Sequence, residues 1–233
     1  MKRMILTASA LAALTVGALS APAHAYDRKA YTYAAGHMIS AKDVPSPISL
    51  RSNGYFNAGS DGTKSWLCSK DDKDVEYSGG KYRFSINYQG KKKGASGINS
   101  SVQQYASATK AIAAFDELKK GAKTCSGATS GSSSYTNDAG DTITDTWSSL
   151  NTTGSVPMVT ITGVASIFIN TNYEDVSSDQ DSPYTSDNYT VYTLLDDVII
   201  STNYYSGSEI NLSAAEKKAV NMAAFNAVDA WLG

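Results

Sequence analysis

Cysteine and histidine are scarce: two of each in 233 residues, Cys68 and Cys125, His24 and His37, and no two cysteines stand at CxxC spacing. A dithiol redox centre or a thiolate metal site therefore lacks its ligands, and zinc, which wants several His or Cys side chains, lacks them too. A Ser-His-Asp triad would have to use His37, which lies beside an irregular stretch. No P-loop and no dinucleotide fingerprint occurs. Paired Asp residues occur in any chain this rich in them, so their presence alone argues for no glycosidase. No catalytic residues, no cofactor and no metal are expected, and the chain reads as a non-enzyme.

Positive charge is not in excess either. The 20 basic residues, Lys2 and Arg3 among them, stand against 22 acidic ones. That balance gives no reason to expect nucleic acid or an anionic membrane as partner. After the first 25 residues no apolar segment approaches the roughly 20 residues needed to span a bilayer.

What the chain does have begins with a leader. Lys2 and Arg3, an apolar run from Met4 to Leu19 and then Ala23-His24-Ala25 make the three regions of a secretory signal peptide, with cleavage expected after Ala25. No cysteine follows the run, so nothing marks a lipoprotein. The product is expected outside the cell as a monomer of about 200 residues, enough for one domain with a sizeable core. In that oxidising compartment an even cysteine count predicts one disulfide, Cys68 to Cys125, closing a loop of 57 sequence steps.

Residues 26–37 show neither helical nor strand periodicity and read as an N-terminal arm. Residues 38–233 read as a single domain. Ser40 caps a short helix with Asp43 three residues on, stopped by Pro45 and Pro47. Asn53 to Asp74 reads as loop with one buried anchor, Trp66-Leu67-Cys68. Tyr82, Phe84, Ile86 and Tyr88 alternate with polar residues as one face of a strand, and a basic turn from Gly90 to Gly94 leads to a weaker strand, Ile98 to Tyr105. The lysines of that turn read as a solvated hairpin tip.

Ser107 then caps a helix whose stripe is Ala111, Ile112, Phe115, Leu118 and Ala122, with Lys119, Lys120 and Lys123 near its negative end and Gly121 loosening it before Cys125. The Gly/Ser-rich residues 126–141 are either a surface excursion or hide an edge strand near Tyr135. Strand-like runs follow at Thr142 to Leu150, Pro157 to Thr162 and Val164 to Thr171. Gly163 marks either a tight bend between two strands, the preferred reading, or a kink in one. Glu174 to Asn188 is acidic but lacks the Gly and Glu of a calcium loop, and reads as solvated.

Thr190 to Tyr205 gives the best hairpin. A turn at Asp196-Asp197 pairs Leu195 with Val198, Thr193 with Ile200 and Val191 with Thr202 on an apolar face expected to meet helices. Leu194, Ile199, Tyr192, Ser201, Thr190 and Asn203 fall on a mixed face. A slip of one residue would exchange the two. The chain closes with a Ser213/Glu216 capping box and a helix from Ala214 to Trp231.

Several of these pieces stand in a familiar order. Ser40-Ala41-Lys42-Asp43-Val44-Pro45, Trp66-Leu67-Cys68, Tyr105-Ala106 and Ala114-Phe115-Asp116-Glu117-Leu118 before Cys125 resemble the PknH-like extracellular sensor domain of actinobacteria. The resemblance runs from Met38 to Trp231. It implies an α+β fold, a twisted antiparallel sheet packed against two main helices, and a cleft for an extracellular ligand. It carries no catalytic residues. The chain departs in having neither a kinase nor a membrane anchor, and one disulfide where the kinase-linked form has more.

The expected function is that of a secreted, sensor-like, non-catalytic domain binding an extracellular ligand, cell-envelope derived or a small amphiphile. Tyrosine, present 15 times, joins an apolar face to a polar tip. Tyr192, Ser201 and Asn203 are the candidate ligand contacts. An alternative is that the tyrosines only cover a sheet and the protein is a surface or interaction protein without a small ligand; a cell-wall hydrolase is the remaining reading.

Overall fold

A computed structural model describes residues 28–51, 54–59, 64–70, 73–91, 96–156, 164–206 and 211–233. The leader and its cleavage site, Lys92 to Gly94 of the basic turn, the Pro157 to Thr162 run and Gly163 lie outside the described residues.

Among the described residues ten strands and three α-helices follow in the order α1 (Arg28–His37), β1 (Tyr55–Gly59), β2 (Lys64–Lys70), β3 (Lys73–Ser78), β4 (Tyr82–Gln89), β5 (Gly97–Gln104), α2 (Ala108–Cys125), β6 (Gly127–Thr136), β7 (Thr142–Ser155), β8 (Ala165–Ser177), β9 (Tyr184–Leu195), β10 (Val198–Ser206) and α3 (Ala214–Leu232). Eight strands form one antiparallel sheet ordered β1-β4-β5-β10-β9-β8-β7-β6, and β2 with β3 makes a separate hairpin. The fold class is α+β, as expected, with a third helix added to the two main ones.

The β9–β10 hairpin sits at the centre and has the register read from its sequence, Val198 opposite Leu195 and Ile200 opposite Thr193. Its two-residue turn needs a left-handed backbone, and Asp196 supplies it at φ 48°, a conformation Asp tolerates better than most residues. Register then decides everything on either side. On one face Phe84, Ile98, Val102, Val191, Val198 and Ile200 form the larger core with Val220, Ala224 and Val228 of α3. Each such fully buried side chain contributes about 1.5–3 kcal/mol. The small residues of α3 let it lie close to β9 and β10. Its start is fixed by the expected capping box: Ser213 Oγ accepts from the Glu216 N–H at 3.2 Å and Glu216 Oε2 accepts from the Ser213 N–H at 3.0 Å.

On the other face Ile199 and Ile169 meet Phe115 and Leu118 of α2 and Leu67 and Tyr77 of the hairpin in a second core. The expectation that helices gather on the more apolar face is thus half right. Leu194, Ile199, Ile167 and Ile169 make one end of the mixed face apolar enough to carry α2.

Four local readings change. Residues 28–37 are helical rather than an irregular arm; Ala30, Ala34 and Met38, spaced four apart, pack on the larger core. The described parts of the stretch read as loop from Asn53 to Asp74 hold β1, β2 and the start of β3, and its anchor is split. A bulge between Trp66 and Cys68 turns Leu67 and Cys68 inward together and leaves Trp66 62% exposed. In α2 the stripe passes through Ala114, not Ile112, which is half exposed. Gly121 does not loosen that helix. It lies inside it, where a Cβ would fall 2.9 Å from Leu67 Cδ2, so glycine lets the hairpin close on α2. Of the alternatives for residues 126–141, the edge strand holds: β6 pairs with β7 through ten residues.

Candidate functional site

Strand pairing puts directly opposed residues on the same face of a sheet. Applied outward from Ser201, opposite Tyr192 on β9 and Ser101 on β5, and from Asn203, opposite Thr190 and Asn99, it collects an unusual set. Asn87 and Ser85 of β4 continue it on one side. Thr171, Tyr173, Asn151, Ser149 and Trp147 of β8 and β7 continue it on the other. One side of the sheet, outside the area under α2 and the hairpin, is therefore paved with amides, hydroxyls and aromatic rings.

These groups are already organised. Asn203 Nδ2 donates to Thr190 Oγ1 at 2.6 Å, Thr171 Oγ1 donates to Asn151 Oδ1 at 2.6 Å, and the Ser101 and Ser201 hydroxyls share a bond of 2.7 Å. Asn99 Nδ2 donates to Asn87 Oδ1. Ladders of this kind hold each side chain in one rotamer and leave spare donors and acceptors facing outward.

Between this surface and the β2–β3 hairpin lies a cavity of about 580 Å³, within the size range of small-ligand sites. Its floor is made by Tyr192, Thr190 and Asn188 of β9, Ser201 and Asn203 of β10, and Ile169, Thr171 and Tyr173 of β8. Trp66, Leu67, Cys68 and Ser69 of β2 form one wall, and Trp147, Ser149 and Asn151 of β7 with Thr129 of β6 form the far side. All three candidate contacts read from the sequence, Tyr192, Ser201 and Asn203, line it together. The two tryptophans, Tyr173 and Arg83 of β4 were not among them. Trp147 and Tyr173 show themselves only once register places β7 and β8 on the same face as Tyr192.

The hairpin wall is tied down by the disulfide between Cys68 and Cys125, whose Cα atoms are 6.1 Å apart. Trp66 is held in turn by Asp74, whose Oδ1 accepts from the indole at 3.2 Å and from Ser69 Oγ at 2.6 Å.

Electrostatically the cavity is simple. Arg83 is the one charged side chain among the described residues lining it, and no carboxylate or imidazole does so. Burial pushes the Tyr192 hydroxyl well above its ordinary range, the neighbouring Tyr77 adds to this, and Arg83 opposes it. Tyr192 is therefore a neutral donor at any physiological pH. The acidic groups of residues 174–188 point in different directions: Asp175 shares the cavity's face, Glu174 takes the opposite one, and Asp187 is buried under α3 against Lys217. His37 stacks on Tyr33 at 3.8 Å at the end of α1, on the opposite side of the sheet from the cavity.

No protein-family model matches the chain, and no curated protein matches it. Among solved structures it is similar to the extracellular domain of PknH from Mycobacterium tuberculosis, at 13% identity and a TM-score of 0.45, over 84% of this chain and 94% of that one. A likeness at that level assigns neither family nor function. Among the described residues no helix is long and apolar enough to cross a membrane.

Proposed function

We propose that this chain is a secreted, non-catalytic binding protein of sensor type, whose domain, residues 38–233, takes an extracellular ligand in the cavity between the β2–β3 hairpin and the open face of the sheet. Tyr192, Ser201 and Asn203 are its contacts on the floor, and Trp66 and Trp147 are the rings that cover the ligand. The observation that carries this reading is the composition of the cavity wall. Half-exposed indole and phenol rings over fixed amides and hydroxyls suit a ligand with both apolar faces and polar edges. Two carboxylates, or a nucleophile with its base, would be needed for hydrolysis, and the cavity's described lining holds neither arrangement.

The leader read in residues 1–25 and the disulfide support an extracellular location. Thermal shift of the purified protein against cell-wall fragments, sugars and lipids tests the proposal. A shift that falls in Tyr192→Phe, which removes the hydroxyl and keeps the packed ring, and in Asn203→Ala, both with the unliganded melting point retained to within a few degrees, supports it. No shift with any class leaves the protein as an interaction protein without a small ligand.

A further inference from the structure

The ligand class can be narrowed from the cavity's charge, an inference that rests on the binding reading above. Arg83 projects from β4 on the face shared with Tyr192 and lines the cavity, yet no ion pair or hydrogen bond holds its guanidinium among the described residues. A guanidinium offers a carboxylate two parallel charge-assisted hydrogen bonds. Here the nearby ladder side chains, Ser85, Ser101 and Ser201, are neutral.

The opposite end carries the reverse charge. Beyond Trp147 the same face presents Asp145 and Asp175, directly opposite Ser177 and Trp147 respectively across the β7–β8 ladder. The one Ser177 hydroxyl lies within hydrogen-bond distance of both Asp145 Oδ1 and, at 2.6 Å, Asp179 Oδ1. Burial first, and then Asp175 and Asp145, raise the Tyr173 hydroxyl above its ordinary range. An anion is therefore favoured at the Arg83 end and repelled at the Asp145 end, which fixes one orientation. Between the ends lie Trp66 and Trp147, whose flat rings suit the apolar faces of pyranose rings, and the Asn and Thr ladder, which suits their hydroxyl and acetamido edges.

We propose that the cavity binds an acidic saccharide, its carboxylate paired with Arg83 and its sugar rings stacked on Trp66 and Trp147. Arginine meets a carboxylate through two parallel hydrogen bonds, which lysine cannot reproduce. The overall acidity of the chain leaves this one cation to act at short range, so neutral and acidic sugars of equal size are discriminated locally.

Calorimetric titration tests this with the purified full-length secreted protein and two sets of probes: oligosaccharides containing glucuronic or N-acetylmuramic acid, and chitotetraose as the neutral counterpart. The expected result is binding of an acidic probe at least tenfold tighter than chitotetraose. Arg83→Gln is expected to abolish that preference without changing the melting point, since Arg83 is exposed on β4. Equal affinity for acidic and neutral probes, or an acidic preference that survives Arg83→Gln, overturns the anionic assignment while leaving the cavity as a binding site. Saccharide binding unaffected by both Trp66→Ala and Trp147→Ala removes the cavity itself. Binding of fatty acid or phospholipid vesicles in place of any saccharide overturns the saccharide class alone.

Discussion

Gly131 of β6 stands directly opposite Trp147 of β7, and the indole covers it so closely that a Cβ on Gly131 would lie 2.6 Å from Trp147 Cζ2. An aromatic ring laid over an edge glycine shields backbone that would otherwise be open to water. It also fixes the ring on the far side of the cavity.

Gly131→Ala is therefore expected to swing Trp147 rather than unfold the protein. Turning the ring about 30° off its rotamer costs about 0.5–1.5 kcal/mol, and the alanine recovers part of that through the unfolded chain. Fluorine NMR of fluorotryptophan-labelled protein, with Trp147→Phe to assign the resonance, should show a shifted Trp147 signal and unchanged Trp231. Unshifted Trp147 would mean that β6 moves instead.

The Cys68–Cys125 bond ties the hairpin wall to the end of α2 across 57 sequence steps. The chain-entropy account gives a loop of that length roughly 4 kcal/mol, an upper bound where packing already holds the ends together. Leu67 against Gly121 is such packing. A Cys68→Ala, Cys125→Ala double variant is expected to fold and to lose up to that amount in urea unfolding. Its ligand-induced thermal shift should fall further than its stability, because Trp66 and Ser69 flank Cys68 in the wall. Stability equal to the parent protein would show that the hairpin is held by its apolar contacts alone.

Legibility in the sequence followed the physical source of each signal. The β9–β10 register, the caps at Ser107 and Ser213 and the cysteine pair could be read because each rests on local chemistry or on a count of two. The same register gave the polar face on which Tyr192, Ser201 and Asn203 lie. The hairpin of β2 and β3 escaped because a bulge at Leu67 breaks its alternation, and α1 escaped because alanines at four-residue spacing carry little hydrophobic contrast. Trp66 misled for a related reason: a large ring next to a disulfide cysteine suggests burial, whereas the bulge gives the inward position to Leu67. Arg83 joins the site only through the pairing of β5 with β10, strands far apart in the chain, and Trp147 and Tyr173 only through the registers of β7 on β8 and β8 on β9, which no single segment encodes.

Asp187 is buried beneath the start of α3, where Oδ2 accepts from the Leu212 N–H at 2.7 Å and lies 3.6 Å from Lys217 Nζ. Asp187→Ala leaves a buried backbone donor unpaired, at a cost of about 1–3 kcal/mol. Asp187→Asn keeps an oxygen for Leu212 and loses only the charge, so it should be the milder of the two. Hydrogen exchange at Leu212 is expected to accelerate in the alanine variant and much less in the asparagine one. Equal exchange in both would assign the effect to the ion pair with Lys217 rather than to the hydrogen bond.

Glu117 of α2 reaches the end of β3, where its Oε2 accepts from the Ser78 N–H at 2.7 Å and from Ser78 Oγ at 2.5 Å. The Ser78 side chain first, and then its backbone N–H, hold the carboxyl below its ordinary range, with Lys64 and Lys120 helping and partial burial opposing. A carboxylate whose folded value is depressed contributes stability that is complete above the unfolded value, about 4.3 for glutamate. That contribution is lost as pH falls through the folded value. The melting-point difference between the parent protein and Glu117→Gln should therefore be constant near neutral pH, shrink below about pH 4.3 and vanish in stronger acid. The group is mostly exposed, so the difference is small, and Ser78→Ala, which removes the hydroxyl but keeps the backbone N–H, should weaken its pH dependence without abolishing it. A difference that persists unchanged into strong acid would show that Glu117 acts through packing on Ser78 and not through its charge.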